Sequence, residues 1–443
     1  MFIWKQITRG IQLQTYLVGD ELEKVCVVID PSRNIEPIIK KAKEKGFEIQ
    51  KIIETHIHAD FISGALELKN RLKNKPEIIL SGEGLSHAPY GDKKVKNNEE
   101  IKIGKLTLKA IFTPGHTPEH LSWLLLDEKG TAVSFFTGDF LFAGDVGRPD
   151  LLGDKNVDQL SQALYESCFT RLNDIPDDVE VMPAHGAGSS CAKSISKVEK
   201  TTVGLEKSTN PALQIKAFSD WKEDLLKDMP KPPPYFSHVK KQNTTGLIES
   251  MENLKKQFKA LGPDEVNSCL IIDVRSKEAF SDGHIENSLF LGLSSPQFLS
   301  FAGWLIPNDK PLVIVASSDE EAKKAAEELF IVGFENIKGY LKEGIKPWPE
   351  PLKSFKNVNK DDLKSTDEIM DVRTQKEWDQ GHIPNSHHHP LQAFTLPKDK
   401  NKTWVSVCQS GYRATIAASI LEQQGFPQVE VLQGGMEKWN KPC

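Results

Sequence analysis

Cysteine is scarce in this chain: six among 443 residues, at positions 26, 168, 191, 269, 408 and 443. So few thiols at such irregular spacing do not make a disulfide framework. They fit a reducing cytoplasm, where each is either buried or at work. Long apolar runs are missing too. Leu121–Leu126 is among the longest, far below the roughly 18 residues of a membrane span. The opening Met1–Gln6 carries no basic-then-apolar leader, so we expect a cytoplasmic protein with no membrane attachment. No basic block is present: Lys plus Arg is 56 against 62 Asp plus Glu, a formal net charge of −6. That argues against nucleic acid or an anionic lipid surface as main partner. With 38% hydrophobic and 27% charged residues, the chain also lacks the composition of a disordered protein.

At roughly 150 residues per domain, the length allows about three domains. The first half alternates strand and helix patterns. Val25–Asp30 is an apolar run closed by Pro31, and Lys105–Phe112 alternates as a strand. Leu121–Leu126 and Thr131–Phe136 read as a hairpin, Val157–Thr170 as a helix, and Val179–Met182 as a short strand before Pro183. This half ends near Met229–Pro234, whose prolines at 230, 232, 233 and 234 make a stiff connector. The second half repeats itself. Ile272-Asp273-Val274-Arg275 returns as Met370-Asp371-Val372-Arg373, and Gly283-His284-Ile285 as Gly381-His382-Ile383. Gly333-Phe334 returns as Gly425-Phe426, and the run Gly344 to Trp348 as Gly435 to Trp439. Units of roughly 90 to 100 residues are a duplicated small α/β domain, since solenoid periods are about 20 to 50. We place three domains at 1–245, 246–354 and 355–443.

Four groups in the first half carry metal-ligand chemistry: Thr55-His56-Ile57-His58-Ala59-Asp60, Pro114 to His120, Thr137-Gly138-Asp139 and Pro183-Ala184-His185-Gly186. Each follows a predicted strand, so all can converge on one sheet edge. Imidazole with carboxylate suits zinc or ferrous iron better than calcium. The set resembles the metallo-β-lactamase superfamily, an αββα sandwich whose first motif is H-x-H-x-D-H. Here Phe61 stands where the last His belongs, which removes a ligand of the second metal position and favours one ion. Thr-His-x-His-Ala-Asp, Gly138–Phe142 and Gly147-Arg148-Pro149-Asp150 resemble the persulfide dioxygenases. That resemblance implies that His56, His116 and Asp139 hold one Fe(II) per chain, leaving the open positions that dioxygenation needs. It implies that His58, Asp60 and His185 orient the ligands and bound water. Arg148 would attract the anionic persulfide or its carrier, with an ion pair to Asp150 or Asp145 as the competing role. Cys191 is either a sulfur relay or, more simply, a small buried thiol.

The second chemical group lies near the C-terminus. Trp404–Val407 reads as a strand, Cys408-Gln409-Ser410-Gly411-Tyr412-Arg413 as a loop, and Ala414–Gln423 as a helix. A cysteine at a helix N-terminus sits among backbone N–H donors, which favours an anion and lowers a thiol's pKa. Arg413 adds positive charge. With Asp371-Val372-Arg373 and Gly381-His382-Ile383, this loop resembles the rhodanese family. That resemblance implies that Cys408 carries a sulfane sulfur, cradled by Gln409, Ser410, Gly411 and Tyr412 with Arg413, and passes it to a thiophilic acceptor. His387-His388-His389 either line that pocket or form an exposed loop. In the middle copy, aligning Leu312–Val315 with Trp404–Val407 puts Ala316 against Cys408 and Glu321 against Arg413. That copy lacks its nucleophile and its loop is acidic, so we expect it to be silent and to act as a spacer or assembly surface. Cys269 reads as core.

The whole arrangement resembles the CstB-type persulfide dioxygenase–sulfurtransferases. The fold class expected is α/β, an αββα sandwich followed by two rhodanese-like domains with parallel central sheets. The resemblance implies substrates and partners: low-molecular-weight persulfides, O2, sulfite and thiosulfate, in sulfide detoxification. Tethering two such sites raises effective concentration to about the millimolar range. A homo-oligomer is expected. Two rivals stand beside this reading. One is a thioester hydrolase like glyoxalase II, which needs two metals and a metal-bound hydroxide. The other is a non-catalytic sulfane-sulfur carrier or sensor persulfidated at Cys408.

Overall fold

The structure is a computed structural model that describes residues 1–84, 88–246 and 249–439; Cys443 lies outside them. The chain divides into two compact units, Met1–Met251 with Phe330–Gly333, and Glu252–Leu329 with Phe334–Cys443. The five described cysteines are free. No helix among the described residues is long and apolar enough to cross a membrane.

In the first unit, β1 (Phe2–Thr8), β2 (Leu13–Asp20) and β3 (Val25–Ile29) pair antiparallel. α1 (Glu36–Lys45) then crosses to β4 (Glu48–Ile53), and α2 (Ala65–Arg71) to β5 (Glu77–Ser81); β6 (Lys93–Val95) closes a six-stranded sheet in sequence order. Parallel neighbours need such helical crossovers. The second sheet is a meander of β7 (Glu100–Ile103), β8 (Leu106–Phe112), β9 (Leu121–Leu126) and β10 (Ala132–Gly138). A small hairpin, β11 (Leu141–Phe142) and β12 (Asp145–Val146), and α3 (Asp154–Phe169) precede β13 (Glu180–Pro183), which joins β10 in parallel. The expected strands and hairpin are present, and the helix expected from Val157 starts at Asp154.

The period of two along β3 builds the sandwich. Val27 and Ile29 face the other sheet, where Leu108, Trp123, Leu125 and Phe136 meet them. Cys26 and Val28 face outward, onto Ile38 of α1 and Leu68 of α2. On the far side of the second sheet, Phe135 and Val181 pack with Leu164 and Cys168 of α3. Alternate residues of one strand thus serve two cores, which yields an αββα sandwich.

Behind β13 come α4 (Val203–Thr209), α5 (Phe218–Leu226) and α6 (Phe236–Thr245). The proline-rich connector does not end the unit as expected. The chain beyond it turns back: the Tyr235 hydroxyl donates to the Asp60 carbonyl at 2.9 Å. The fully buried Asn243 donates to the carbonyls of His58 and Phe61, each at 2.8 Å, and accepts from Ser63 N–H at 2.9 Å. A single amide therefore satisfies three backbone groups around the first His motif.

The second unit starts with α7 (Met251–Gln257), whose first residue belongs to the first unit, and holds two similar folds. The first comprises β14 (Lys259–Leu261), β15 (Leu270–Asp273), α8 (Lys277–Asp282), β16 (Leu289–Phe290), α9 (Phe298–Leu305), β17 (Leu312–Val315), α10 (Asp319–Ile331) and β18 (Ile337–Leu341). The second comprises β19 (Lys356–Val358), β20 (Glu368–Asp371), α11 (Gln375–Asp379), β21 (His387–His388), β22 (Trp404–Val407), α12 (Tyr412–Gln423), β23 (Val429–Leu432) and α13 (Gly435–Trp439). Their parallel sheets have matching orders, β14-β18-β17-β15-β16 and β19-β23-β22-β20-β21. Asp273 pairs with Val315 as Asp371 pairs with Val407, so Ala316 and Cys408 occupy equivalent strand ends. The repeated Asp-Val-Arg is one device used twice. Arg275 forks Asp273 and donates to the Gly283 carbonyl at 2.8 Å; Arg373 forks Asp371 and donates to the Gly381 carbonyl at 2.7 Å. The two copies, each with its own sheet, pack into one compact unit. Glu422 meets His284 and Asn287 at 3.1 Å each, and Ser419 Oγ accepts from Phe290 N–H at 3.2 Å.

Asn243→Ala strands three buried backbone groups, each worth about 1–3 kcal/mol. We expect a loss of at least about 2 kcal/mol, read as a lower denaturant midpoint. An unchanged midpoint would mean that the helix does not hold the His motif.

Candidate functional site

Each metal-ligand group does follow a strand: β4, β8, β10 and β13 end just before His56, His116, Asp139 and His185. One ligand atom each from His56, His116 and Asp139 falls within a mutual 4.8 Å, and all three residues are buried. His116 Nε2 lies 3.5 Å and His56 Nε2 3.8 Å from Asp139 Oδ2. Their other ring nitrogens are engaged. His116 Nδ1 donates to the Arg148 carbonyl at 3.0 Å. His56 Nδ1 is 2.9 Å from Thr55 Oγ1, which itself donates to Asp30 Oδ2 at 2.9 Å. That chain makes Nδ1 the protonated nitrogen of both rings and leaves both Nε2 lone pairs free. Asp139 Oδ2 is buried and without a hydrogen bond. An orphaned carboxylate oxygen facing two imidazole lone pairs is a donor set that fits a cation.

The electrostatics agree. Burial pushes His56 well below its usual pKa and His116 down to about 4, which favours the neutral imidazole in both. Burial alone would raise Asp139, but His185 overrides it and holds the carboxyl below its usual range. Burial would lower His185, yet Asp139 and Asp60 raise it well above its usual value. His185 Nδ1 donates to Asp139 Oδ1 at 2.7 Å and Nε2 lies 2.8 Å from Asp60 Oδ2. His185 is thus a buried imidazolium between two carboxylates.

His58 is not in that cluster, although its ring lies 4.0 Å from the ring of His56. Its Nε2 lies 3.1 Å from Asp30 Oδ1, and its ring packs 4.3 Å from the fully buried Phe61. Burial alone would lower His58; Asp30 raises it instead. Asp60, His185 and Cys191 form a second buried group within 4.8 Å. Burial pushes the Cys191 thiol up, so it sits there as a neutral buried thiol, the simpler of its two roles.

Two roles stood open for Arg148, attraction of an anion and an ion pair. It is fully buried, forks Asp150 with two contacts of 2.7 Å, and donates to the carbonyls of Ser190 and Pro230. Its fork is filled, and the ion pair with Asp150 is the role the structure shows. Sequence reasoning also passed over Asp30, Asn243 and His120. His120 Nε2 accepts from Asp139 N–H at 3.0 Å, and its Nδ1 lies 2.9 Å from Thr113 Oγ1. Gly138 must be glycine: its φ is +52°, and a Cβ there would stand 2.5 Å from His120 Nε2. A cleft of about 280 Å³ reaches His56, lined also by Glu54, Ser81 and Glu119.

In the second unit, Cys408 directly follows β22 with 1% exposure, and its Sγ accepts from Gly411 N–H at 3.2 Å. Gly411, at φ +100°, caps α12. Met436 and Glu437 of α13 donate backbone N–H groups to the carbonyls of Cys408 and Gln409 at 2.9 and 3.1 Å, pinning the loop. Gln409 is exposed and Ser410 half-buried. Arg413 does not offer a free charge: its guanidinium forks Glu377 at 2.6 and 2.7 Å. Burial alone would raise Glu377, but Arg413 holds it down to about 2. The Tyr412 side chain leaves the loop: its hydroxyl donates to the Gly292 carbonyl at 3.2 Å and its ring packs on Phe290. The middle loop is filled by its own side chain, with Glu321 Oε2 accepting from Ser317 N–H at 2.6 Å. His387 and His388 form the short edge strand β21, and His387 is exposed and paired with Glu368.

Comparison with known proteins matches this division. The metallo-beta-lactamase superfamily model matches residues 9–185, and the rhodanese-like domain model matches residues 250–350 and 355–442. The chain is similar to a solved metallo-beta-lactamase from Staphylococcus aureus subsp. aureus COL, 33% identical with a TM-score of 0.69, covering 77% of this chain and 98% of that one. It is 31% identical over 165 residues to a hydroxyacylglutathione hydrolase of Prochlorococcus marinus, over 37% of this chain and 61% of that protein. It is 28% identical over 224 residues to the mitochondrial persulfide dioxygenase ETHE1 of Homo sapiens, over 49% of this chain and 78% of that protein. The chain therefore spans less than two thirds of that hydrolase. The chain belongs to the metallo-beta-lactamase superfamily, and two rhodanese-like domains follow that domain.

Removing an outer partner of a metal ligand costs about 10–100-fold in affinity. We expect His185→Ala to weaken metal binding by that factor in a chelator competition, with Asp139 intact. Unchanged affinity would exclude His185 as the group that orients Asp139.

Proposed function

We propose that this chain is a persulfide dioxygenase joined to a sulfurtransferase. It binds one Fe(II) through His56, His116 and Asp139. Its net first reaction is RSSH + O2 + H2O → RSH + SO3²⁻ + 2H⁺, in which the sulfane sulfur is oxidised and O2 reduced. Its second reaction passes sulfane sulfur from a Cys408 persulfide to sulfite, giving thiosulfate. The setting is sulfide detoxification in the cytoplasm.

One observation carries the reading: His58 is turned onto Asp30 and backed by Phe61, which leaves a set of two histidines and one carboxylate. Ferrous iron in such a set supplies open coordination positions and redox chemistry, which zinc lacks. The protein's own groups do the rest. His185 keeps Asp139 ionised with Oδ2 free. The Arg148 carbonyl and Thr55 fix the two imidazoles. In the second unit, the Gly411 amide donates to Cys408 Sγ. The likeness to the human persulfide dioxygenase supports the first reaction, and the rhodanese match supports the second. The runner-up is thioester hydrolysis, favoured by the likeness to hydroxyacylglutathione hydrolase and by the second cluster of Asp60, His185 and Cys191. It would need two metal ions.

The test is product analysis with the iron-loaded full chain and a small persulfide. We expect Cys408→Ser to keep oxygen uptake and accumulate sulfite, and Asp139→Ala to lose uptake by at least about 100-fold while sulfurtransfer continues. Unchanged thiosulfate from Cys408→Ser, or efficient thioester hydrolysis by the native chain, would overturn the proposal.

A further inference from the structure

The sulfur transfer proposed above brings two anions together, a persulfide on Cys408 and sulfite. Like charges at contact distance repel, so a cation must lie near the loop. The arginines beside it are already neutralised. Arg413 is forked by Glu377, and Arg373 by Asp371. A different cation touches the loop from outside its own domain. Lys277, the first residue of α8 in the middle copy, donates from Nζ to the Ser410 carbonyl at 2.6 Å. The same Nζ lies against Gly411, 3.2 Å from where a Cβ would stand, and Gly411 is the residue whose N–H reaches Cys408 Sγ. Its one carboxylate neighbour, Glu278, is 3.7 Å away and well exposed, so that pairing is screened by solvent. A solvent-open cleft of about 380 Å³ runs along this contact, lined by Lys277, Glu278 and Ser281 from the middle copy and by Gly411, Thr415 and Gln433 from the last.

We propose that Lys277 is the binding residue for the anionic sulfur acceptor at Cys408, so that the silent copy completes the active copy's site. The inference rests on the sulfurtransferase reading. In the step, the sulfite sulfur lone pair attacks the terminal sulfur of the Cys408 persulfide. A new S–S bond forms, the bond to Sγ breaks, and its electron pair stays on Sγ as thiolate. No outside oxidant or reductant takes part. Lys277 offsets the charge of the incoming sulfite and takes no proton.

The experiment preloads Cys408 with persulfide in the full chain and mixes it with sodium sulfite in a single turnover. We expect Lys277→Ala to raise the half-saturating sulfite concentration about tenfold or more, the usual scale for a lost charged contact, with the limiting rate changed less. Lys277→Arg should restore it. The sulfite dependence should weaken with added salt in the native chain but not in Lys277→Ala. Transfer to dithiothreitol, which attacks as a singly charged thiolate where sulfite carries two charges, should be affected much less. An unchanged sulfite dependence in Lys277→Ala would overturn the proposal. So would an equal loss with dithiothreitol, which would make Lys277 a brace for the loop. A native chain that yields no thiosulfate at all would refute the sulfurtransferase reading instead.

Discussion

A carboxylate buried away from water must be compensated by its neighbours or lose its charge, and Asp139 is the group on which this applies most heavily here. None of its surface is exposed. One oxygen takes the His185 N–H, the other has no hydrogen bond, and its backbone N–H goes to His120. Around it the arrangement is layered: His56 and His116 beside Oδ2, His185 on Oδ1, and Asp60 beyond. The glycine before it, the carbonyl of Arg148 and the threonine beside His56 are all needed to keep that order. A sandwich of two sheets can supply these parts because four strand ends meet at one edge.

The second unit shows the same principle by contrast. The duplicated loops have the same strand before them and a helix after them. In one, a small thiol accepts a loop amide and the position is left for an anion. In the other, alanine replaces the thiol and Glu321 turns its own carboxylate onto the loop amide. The middle copy thus differs twice, in the residue at its strand end and in what its loop amide meets.

Much of this was legible in the sequence, for a physical reason in each case. The strand periods, the four ligand groups and the repeat are local patterns, and local patterns survive without a structure. Phe61 in the first motif is equally local, and on it rests the expectation of one ion. What was not legible came from long-range partners. Asp30 captures His58 from a strand end 28 positions earlier, judged by their numbering. Asn243 arrives from beyond the proline-rich segment, which looked like an exit from the domain. Arg413 read as a free cation because a sequence does not show that Glu377 occupies it. Tyr412 follows the loop glycine, yet its side chain serves the neighbouring copy.

The central claim is that a single metal ion on His56, His116 and Asp139 supports oxygen chemistry on a persulfide. The most direct measurement titrates Fe(II) into the metal-free chain and follows persulfide-dependent oxygen uptake at each addition. The account requires uptake to rise in proportion to iron and to level off at one equivalent per chain. A rise that continues to two equivalents, or no uptake with iron bound, would contradict it.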